Sequence, residues 1–527
     1  MNYGQHFQAA KGIFLEYLDD TTIHGLKYMG DKKRPVVERI VWVCALVLSI
    51  LICCYLITNI WDKRYNTPVI VHFDEKLTSV WEIPFPSVTI CPETKTHVNI
   101  FNYTDIYWKL NWNNNTKMKY YWEAISQTCL YRKLDYGKLF ANVSQLISAI
   151  DDTAPGLRET LYSCTWRQTR IVCDKYYKTL TEEGLCFTFN GLNPKDIYRP
   201  EALVDGVFSE NNYNPNIEWN LENGYNSEAG QNTFPFRVLG SGNKESLFLW
   251  LSDKKVDDDL LCRGPVQGFK VILHTPGELP QVSKTFLNIP FDQAVSVSIK
   301  PKIMRTSEGL RHYDPEMRKC FYQNERYLRY FKHYTQANCE HECLSNHTRK
   351  QCGCVKFSMP RNSTDVVCGA KSIKCLLRVE RGLLVKNFEE GSHAFQQSEN
   401  SKNCNCLPSC ISIQYKAEME HQTAFDYAHF IRALSTESMQ RASSVDPGIR
   451  SARLTIYFKE AVFNALRRSE LYNTTQFIAN CGGLLGLFMG VSILSLVELV
   501  YFFTIRLWVN LRMRRKTKRD NFEFVEK

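Results

Sequence analysis

Several features that would place a chain of 527 residues in an ordinary soluble class are missing. No long internal repeat and no extended low-complexity tract occurs, which excludes a solenoid array and a disorder-dominated chain. No convincing Ser/His/Asp triad, carboxylate pair or metal-ligand constellation stands out, so an ectoenzyme is a weak reading. Residues 1–39 hold no apolar core of the length a cleavable signal peptide needs, so the first apolar run is expected to insert as a signal-anchor. Charge is absent from Ile40 to Ile60, and Glu498 alone interrupts Gly482 to Phe503. Each run is near the roughly 20 residues that span a bilayer. A third run of comparable length does not exist, which excludes a many-span bundle. Neither tail outside the two runs carries an N-glycosylation sequon.

What is present assigns a topology. Lys32, Lys33, Arg34 and Arg39 precede the first run, and Asp62, Lys63 and Arg64 follow it. Arg506, Arg512, Arg514, Arg515, Lys516, Lys518 and Arg519 follow the second. The positive-inside rule then puts both termini in the cytosol. Sequons beginning at Asn102, Asn114, Asn142, Asn346, Asn362 and Asn473 all fall between the runs, as do 16 of the 20 cysteines, from Cys91 to Cys410. Both patterns belong to an extracellular, oxidising compartment. Trp61 and Trp508 lie near span ends, where amphipathic rings favour the interface. The formal charge of +10 is concentrated at the membrane: residues 506–527 carry eight Lys or Arg against three Asp or Glu. That tail reads as contact with anionic inner-leaflet lipid or as a purely topogenic run, not as a nucleic-acid surface.

About 420 residues between the spans call for one large, multi-lobed ectodomain. Ile83–Cys91 and Ala452–Phe458 read as strands near the two membrane entries, able to pair into one sheet. Tyr103–Cys129 and residues 208–233, polar and asparagine-rich, read as surface excursions. The block from Cys320 to Cys410 holds ten cysteines, with Cys339 and Cys343 on one helical face and a helix-compatible aromatic stretch, Phe321–Tyr334, before them. Zinc is the rival for such spacing; the extracellular address favours disulfides, so no metal and no cofactor is expected. From the residues alone the pairing stays open.

The last span carries the chemistry. Gly482, Gly486 and Gly490 recur every four residues, a spacing that lets helix backbones approach closely. Glu498 below them is costly in lipid unless it faces water or protein. Small residues above one acid suit a pore lining, although Gly490 alone also reads as a packing glycine and Glu498 as a paired acid. The acid runs Glu182-Glu183 and Asp257-Asp258-Asp259 read as solvated loops rather than as cation or proton sensors.

Thr22-Ile23-His24-Gly25-Leu26, Phe85-Pro86-Ser87-Val88-Thr89-Ile90-Cys91, Leu180 to Asn190, Leu273-His274-Thr275-Pro276, Cys352 to Pro360, Cys406-Leu407-Pro408-Ser409-Cys410 and Asn480 to Ser492 occur in that order. Together they resemble the degenerin/epithelial sodium channel superfamily, most like its arthropod pickpocket branch, over nearly the whole chain. The resemblance implies an α+β membrane protein: two transmembrane helices flanking a disulfide-rich ectodomain with a palm β-sheet, a helical thumb and a finger-like insertion, assembled as a trimer. It implies a cytosolic N-terminus over 1–39, spans at 40–60 and 481–505, an ectodomain over 61–480 with its thumb at about 310–410, and a basic tail over 506–527. The implied disulfides are Cys320–Cys410, Cys339–Cys406, Cys343–Cys404, Cys352–Cys375, Cys354–Cys368, Cys91–Cys186 and Cys164–Cys173. Cys129 and Cys262 are left over, as candidates to pair with each other.

By the same resemblance Gly490, Val491 and Ser492 form the selectivity filter, and His24, Gly25, Ala479, Asn480, Gly486 and Glu498 serve pore and gating. Ala479 falls where only a small side chain allows closure. Cys481, near the outer mouth, is expected to be a free thiol. The expected function is a sodium-permeable, voltage-insensitive, amiloride-sensitive channel subunit in the plasma membrane, gated through its ectodomain by a stimulus left open and working with identical or related subunits. The alternative is a non-conducting receptor or accessory subunit. An ATP-gated two-span channel fits neither the filter region nor the cysteine pattern. Acid-sensing members have an aromatic residue just before the first thumb cysteine; Pro315-Glu316-Met317-Arg318-Lys319 has none.

Overall fold

The computed structural model describes residues 3–31, 34–109, 116–133, 136–202, 217–392, 404–426, 448–510 and 512–513. Asn114, Lys32, Lys33 and the basic tail from Arg514 lie outside the described residues. The chain divides into two compact units. One comprises Met1–Ile70, Ser307–Arg318 and Ser469–Lys527; the other comprises Val71–Thr306 and Lys319–Arg468.

The first unit holds two helices long and apolar enough to cross a membrane, Val36–Asn66 and Ile493–Asn510. At 1.5 Å per residue the 31 residues of the former extend about 46 Å, more than the roughly 30 Å of a hydrocarbon core. Its valines, isoleucines and leucines are largely exposed in the single subunit, the surface of a helix meant for lipid or a neighbouring chain. The second apolar run is not one continuous helix. An outer helix, Thr474–Met489, starts at the Asn473 cap and ends at Gly490; an inner helix, Ile493–Val500, restarts after Ser492. Trp61 meets Phe477 edge-on at 5.7 Å, and the Arg64 guanidinium lies 4.7 Å above the same ring, so the outer ends of the two spans pack together. The segment Ser307–Arg318 belongs to this unit rather than to the thumb, and the buried Arg318 donates to the carbonyls of Arg311 and Tyr313.

The second unit is built on two sheets. The larger runs in the order Val69–Ser79, Val462–Glu470, Gln293–Thr306, Ile449–Phe458, Leu247–Lys254, Leu161–Trp166, Arg170–Ile171, with Ser412–Ala424 also paired to Gln293–Thr306. Strict alternation sets its register: Leu247, Leu249 and Leu251 oppose Ile456, Leu454 and Ala452, all buried. The smaller sheet runs Leu287–Ile289, Phe269–His274, Ser87–Pro92, Gly184–Phe189, Tyr177–Thr181. The expected pairing of Ile83–Cys91 with Ala452–Phe458 does not form. Ser87–Pro92 is buried along its whole length in the smaller sheet, and the strand that follows the first span is Val69–Ser79. Phe85, Trp166, Phe187, Phe189 and Phe458 fill one core, with Phe85 edge-on to Trp166 at 4.8 Å.

Tyr103–Cys129 is not a surface excursion. Tyr103, Tyr121, Trp122 and Ile125 pack with Leu146, Ile150 and Ile373 into a second core, Tyr103 stacking on Trp122 at 5.1 Å. Even polar residues of this segment, Glu123, Ser126, Gln127 and Thr128, are buried beside those aromatics, which average polarity conceals. The thumb consists of helices Gln336–Cys352 and Ile373–Ser392. The stretch Phe321–Tyr334 is not helical: the Glu342 carboxylate accepts the N–H groups of Arg329 and Tyr330, the Tyr330 carbonyl accepts the Arg199 N–H, and the Lys332 N–H donates to the Ile197 carbonyl. Tertiary hydrogen bonds thus take the donors a helix would have used.

Disulfides join Cys91–Cys186, Cys129–Cys262, Cys164–Cys173, Cys320–Cys410, Cys339–Cys406, Cys343–Cys404, Cys352–Cys375 and Cys354–Cys368. Cys44, Cys53, Cys54 and Cys481 are free thiols. Three sequon asparagines start helices: Asn102, Asn142 and Asn473 accept the N–H groups of Asp105, Ser144 and Gln476 at 2.9, 3.1 and 2.7 Å. Asn346 is exposed on the first thumb helix, and Asn362 lies in a turn closed by Asp365.

Candidate functional site: the broken second span and its N-terminal strap

The break in the second span is built from local rules. Gly490 takes a left-handed conformation, φ +68°, and its N–H returns to the Gly486 carbonyl, ending the outer helix as glycine C-caps do. Ser492 then restarts the chain: its Oγ accepts the Ser495 N–H while Ser495 Oγ accepts the Ser492 N–H, both at 3.2 Å. Gly490, Val491 and Ser492 thus lie outside regular helix, Val491 between the two capping residues. An extended joint of this kind in a span is tolerated where it is covered by protein or lines water.

The cover is the N-terminal segment. The His24 N–H donates to the Met489 carbonyl at 3.0 Å. A Cβ on Gly490 would stand 2.6 Å from His24 Nδ1 and 2.7 Å from Cε1, so only glycine fits beneath this ring. Gly25, at φ +87°, turns the strap into the short helix Leu26–Gly30 against Trp42 and Leu46. Below the joint the Thr22 hydroxyl lies 3.0 Å from Glu498 Oε2 and 2.9 Å from Ser495 Oγ. Farther along, Ile13 and Tyr17 pack on Phe502, Tyr17 edge-on at 5.6 Å, and Glu16 pairs with Arg506 at 2.6 Å.

The structure therefore gathers His24, Gly25, Gly490, Val491, Ser492 and Glu498 into one locus. Ala479 and Asn480 stand apart, exposed on the outer helix, with Ala479 about 16 Å above Gly490 by helical rise. Gly482 and Gly483 face open space in the single subunit, and Gly486 lies under the Val491 carbonyl, which a Cβ would approach to 3.8 Å. Two contributors had been missed, Thr22 and Ser495. The Ser-x-x-Ser spacing of 492 and 495 is a capping signal readable in sequence; Thr22 announces its partner in no such way.

Both acid runs depart from the solvated reading. Glu183 is largely buried and pairs with Arg263, Lys95 (3.6 Å) and Lys270 (2.9 Å), while Glu93 meets Arg263 at 2.6 Å. Burial alone would raise the Glu183 carboxyl, but the charges of Lys95, Arg263 and Lys270 hold it down at about 2. Asp257 is buried against His97 Nδ1 at 2.8 Å and the Val98 N–H at 2.9 Å. Asp258 pairs with Arg450, and Asp259 accepts from Thr104 and the Cys262 N–H. These acids are cross-braces of the ectodomain. In the thumb, Cys343, His347 and Cys404 offer donor atoms within 4.8 Å of one another, the described grouping nearest to a metal set, but the two sulfurs are bonded together.

Two apolar helices around a disulfide-rich β ectodomain, one of them broken over a glycine and a capped serine with an acid below, define a two-span ion-channel subunit. The amiloride-sensitive sodium channel family matches residues 17–502, and the chain belongs to that family. Pickpocket protein 28 of Drosophila melanogaster is 26% identical over 529 residues, covering 98% of this chain and 83% of the relative. Pickpocket protein 11 of the same species is 23% identical over 503 residues, 95% and 77% of the two chains. The bile acid-sensitive ion channel of Mus musculus is 22% identical over 510 residues, 94% and 88%. The chain is thus a membrane-embedded subunit of a sodium channel, in a family whose subunits work as oligomers, with relatives in the pickpocket branch.

Proposed function

We propose that three such subunits, identical or related, surround one axis in the plasma membrane, with both termini cytosolic, and conduct sodium through Gly490-Val491-Ser492. The observation that carries this reading is the broken helix: φ +68° at Gly490 and the reciprocal cap at Ser492 leave a short extended joint within the span. Threefold repetition would ring the axis with its peptide oxygens, hard ligands suited to a partly dehydrated sodium ion. Glu498 adds a ring of carboxylates on the cytosolic side that concentrates cations. Open space at Gly482 and Gly483 supports neighbouring pore helices approaching there, with Ala479 above them as the closure point. The apolar first span, whose side chains are largely exposed in the single subunit, faces lipid in this reading. Amiloride sensitivity, voltage insensitivity and gating through the ectodomain complete the reading.

The test is substitution of Gly490 and Ser492 by leucine in complexes shown to contain the altered chain. The expected result is lost or altered sodium-over-potassium preference at normal surface abundance. Unchanged flux and preference would end the assignment.

A further inference from the structure

We propose that Thr22 is a positioning residue for the inner-pore carboxylate, holding Glu498 in the rotamer that faces the ion path. The inference rests on the reading above that Glu498 lines that path. Thr22 offers two donors to one acceptor: its hydroxyl at 3.0 Å and its own N–H at 3.3 Å both reach Glu498 Oε2. A hydroxyl carries one proton, so when it is given to Glu498 the contact at 2.9 Å with Ser495 Oγ must be one in which Ser495 donates. Ser495 is buried and fixed by the reciprocal cap with Ser492. The relay therefore runs from the joint, through Ser492, Ser495 and Thr22, to the carboxylate. Because both bonds fall on Oε2, Oε1 is the oxygen that can turn toward a passing cation.

Thr22 is also the residue next but one before His24, whose ring and N–H cover the joint itself. One short strap thus fixes both the joint and the acid beneath it, and a shift of the strap moves the two together. Hydrogen bonds to a charged acceptor are among the stronger ones in proteins, so removing the hydroxyl is expected to lower the held population about tenfold relative to free rotamers.

The experiment uses the full-length chain in surface complexes and reads single-channel sodium conductance. Thr22→Val keeps the shape and the N–H but removes the hydroxyl; it is expected to reduce conductance, Thr22→Ser to restore it, and Thr22→Val to add nothing in a Glu498→Ala background. An equal effect of Thr22→Val with and without Glu498, or failure of serine to rescue, overturns the proposal. A measurement independent of current is oxidation of the Thr22→Cys, Glu498→Cys double variant, with the linked peptides expected by mass spectrometry. An absent link, with conductance still sensitive to Glu498→Ala, overturns the Thr22 assignment alone. Conductance insensitive to Glu498→Ala overturns the permeation reading beneath it, whether or not the link forms.

Discussion

Replacing Gly490 by alanine perturbs the joint in two separable ways. The first is in the backbone: at φ +68° an L side chain costs about 1–2 kcal/mol relative to glycine. The second is steric: the new methyl would stand 2.6 Å from His24 Nδ1, 2.7 Å from Cε1 and 2.9 Å from Cγ, so the ring or the helix end must move. Overpacking of this kind costs about 1–3 kcal/mol, and the two together come to about 2–5 kcal/mol per subunit. Removing the ring separates them, because His24→Ala retains the backbone N–H that bonds Met489. The assay is a double-mutant cycle of Gly490→Ala and His24→Ala, read as the sodium-to-potassium permeability ratio with surface labelling as a control. Gly490→Ala alone is expected to degrade selectivity, and adding His24→Ala to recover the steric part while the backbone part persists. An effect of Gly490→Ala that is the same in both backgrounds would refute the ring-over-glycine argument.

Three further outcomes are expected. Glu498→Ala should lower single-channel cation conductance; unchanged current and selectivity would remove it from the ion path. Ala479→Val, a bulky change at the proposed closure point, should raise standing current, and a normally closing pore would count against that role. Glu183→Gln should destabilise the ectodomain by about 3 kcal/mol, because Lys95, Arg263 and Lys270 lose the acid they share. The pH sign follows from the depressed carboxyl. Its stabilisation is present above the ordinary carboxylate range and is lost as pH falls toward about 2, so acid melting curves of wild type and Glu183→Gln should converge there and separate at neutral pH.

The spans were legible because 21 uncharged apolar residues have few other uses, and the extracellular cysteines because oxidation and sequons keep the same compartment. The eight-stranded sheet was less so. Val69–Ser79 carries Asp74, Glu75 and Lys76 and follows a membrane helix, which hides it, whereas Ile83–Cys91 looks like a membrane-proximal strand yet is buried in the other sheet. Phe321–Tyr334 has helical composition, but its backbone donors are claimed by Glu342. The acid runs misled for a related reason: charge reads as solvation until its counter-ions are known, and Arg263 lies 80 residues beyond Glu183 in sequence. In the second span, the glycine spacing read as close helix packing and the resemblance marked Gly490-Val491-Ser492, but neither announced that the helix breaks there. Nothing in linear order places Thr22 on Glu498, 476 residues away.

The asparagines that begin helices have a practical bearing on sugar attachment. Asn102, Asn142 and Asn473 use their side-chain oxygen to hold a helix start, while the amide nitrogen is the atom a glycan would take. Exchange for glutamine, the customary way to delete an acceptor, also lengthens the arm that closes the first turn. At Asn473 that turn opens the helix Thr474–Met489, which runs to the joint at Gly490. Aspartate abolishes the acceptor but retains the oxygen, so a defect seen with glutamine and absent with aspartate belongs to the frayed helix end and not to the missing carbohydrate.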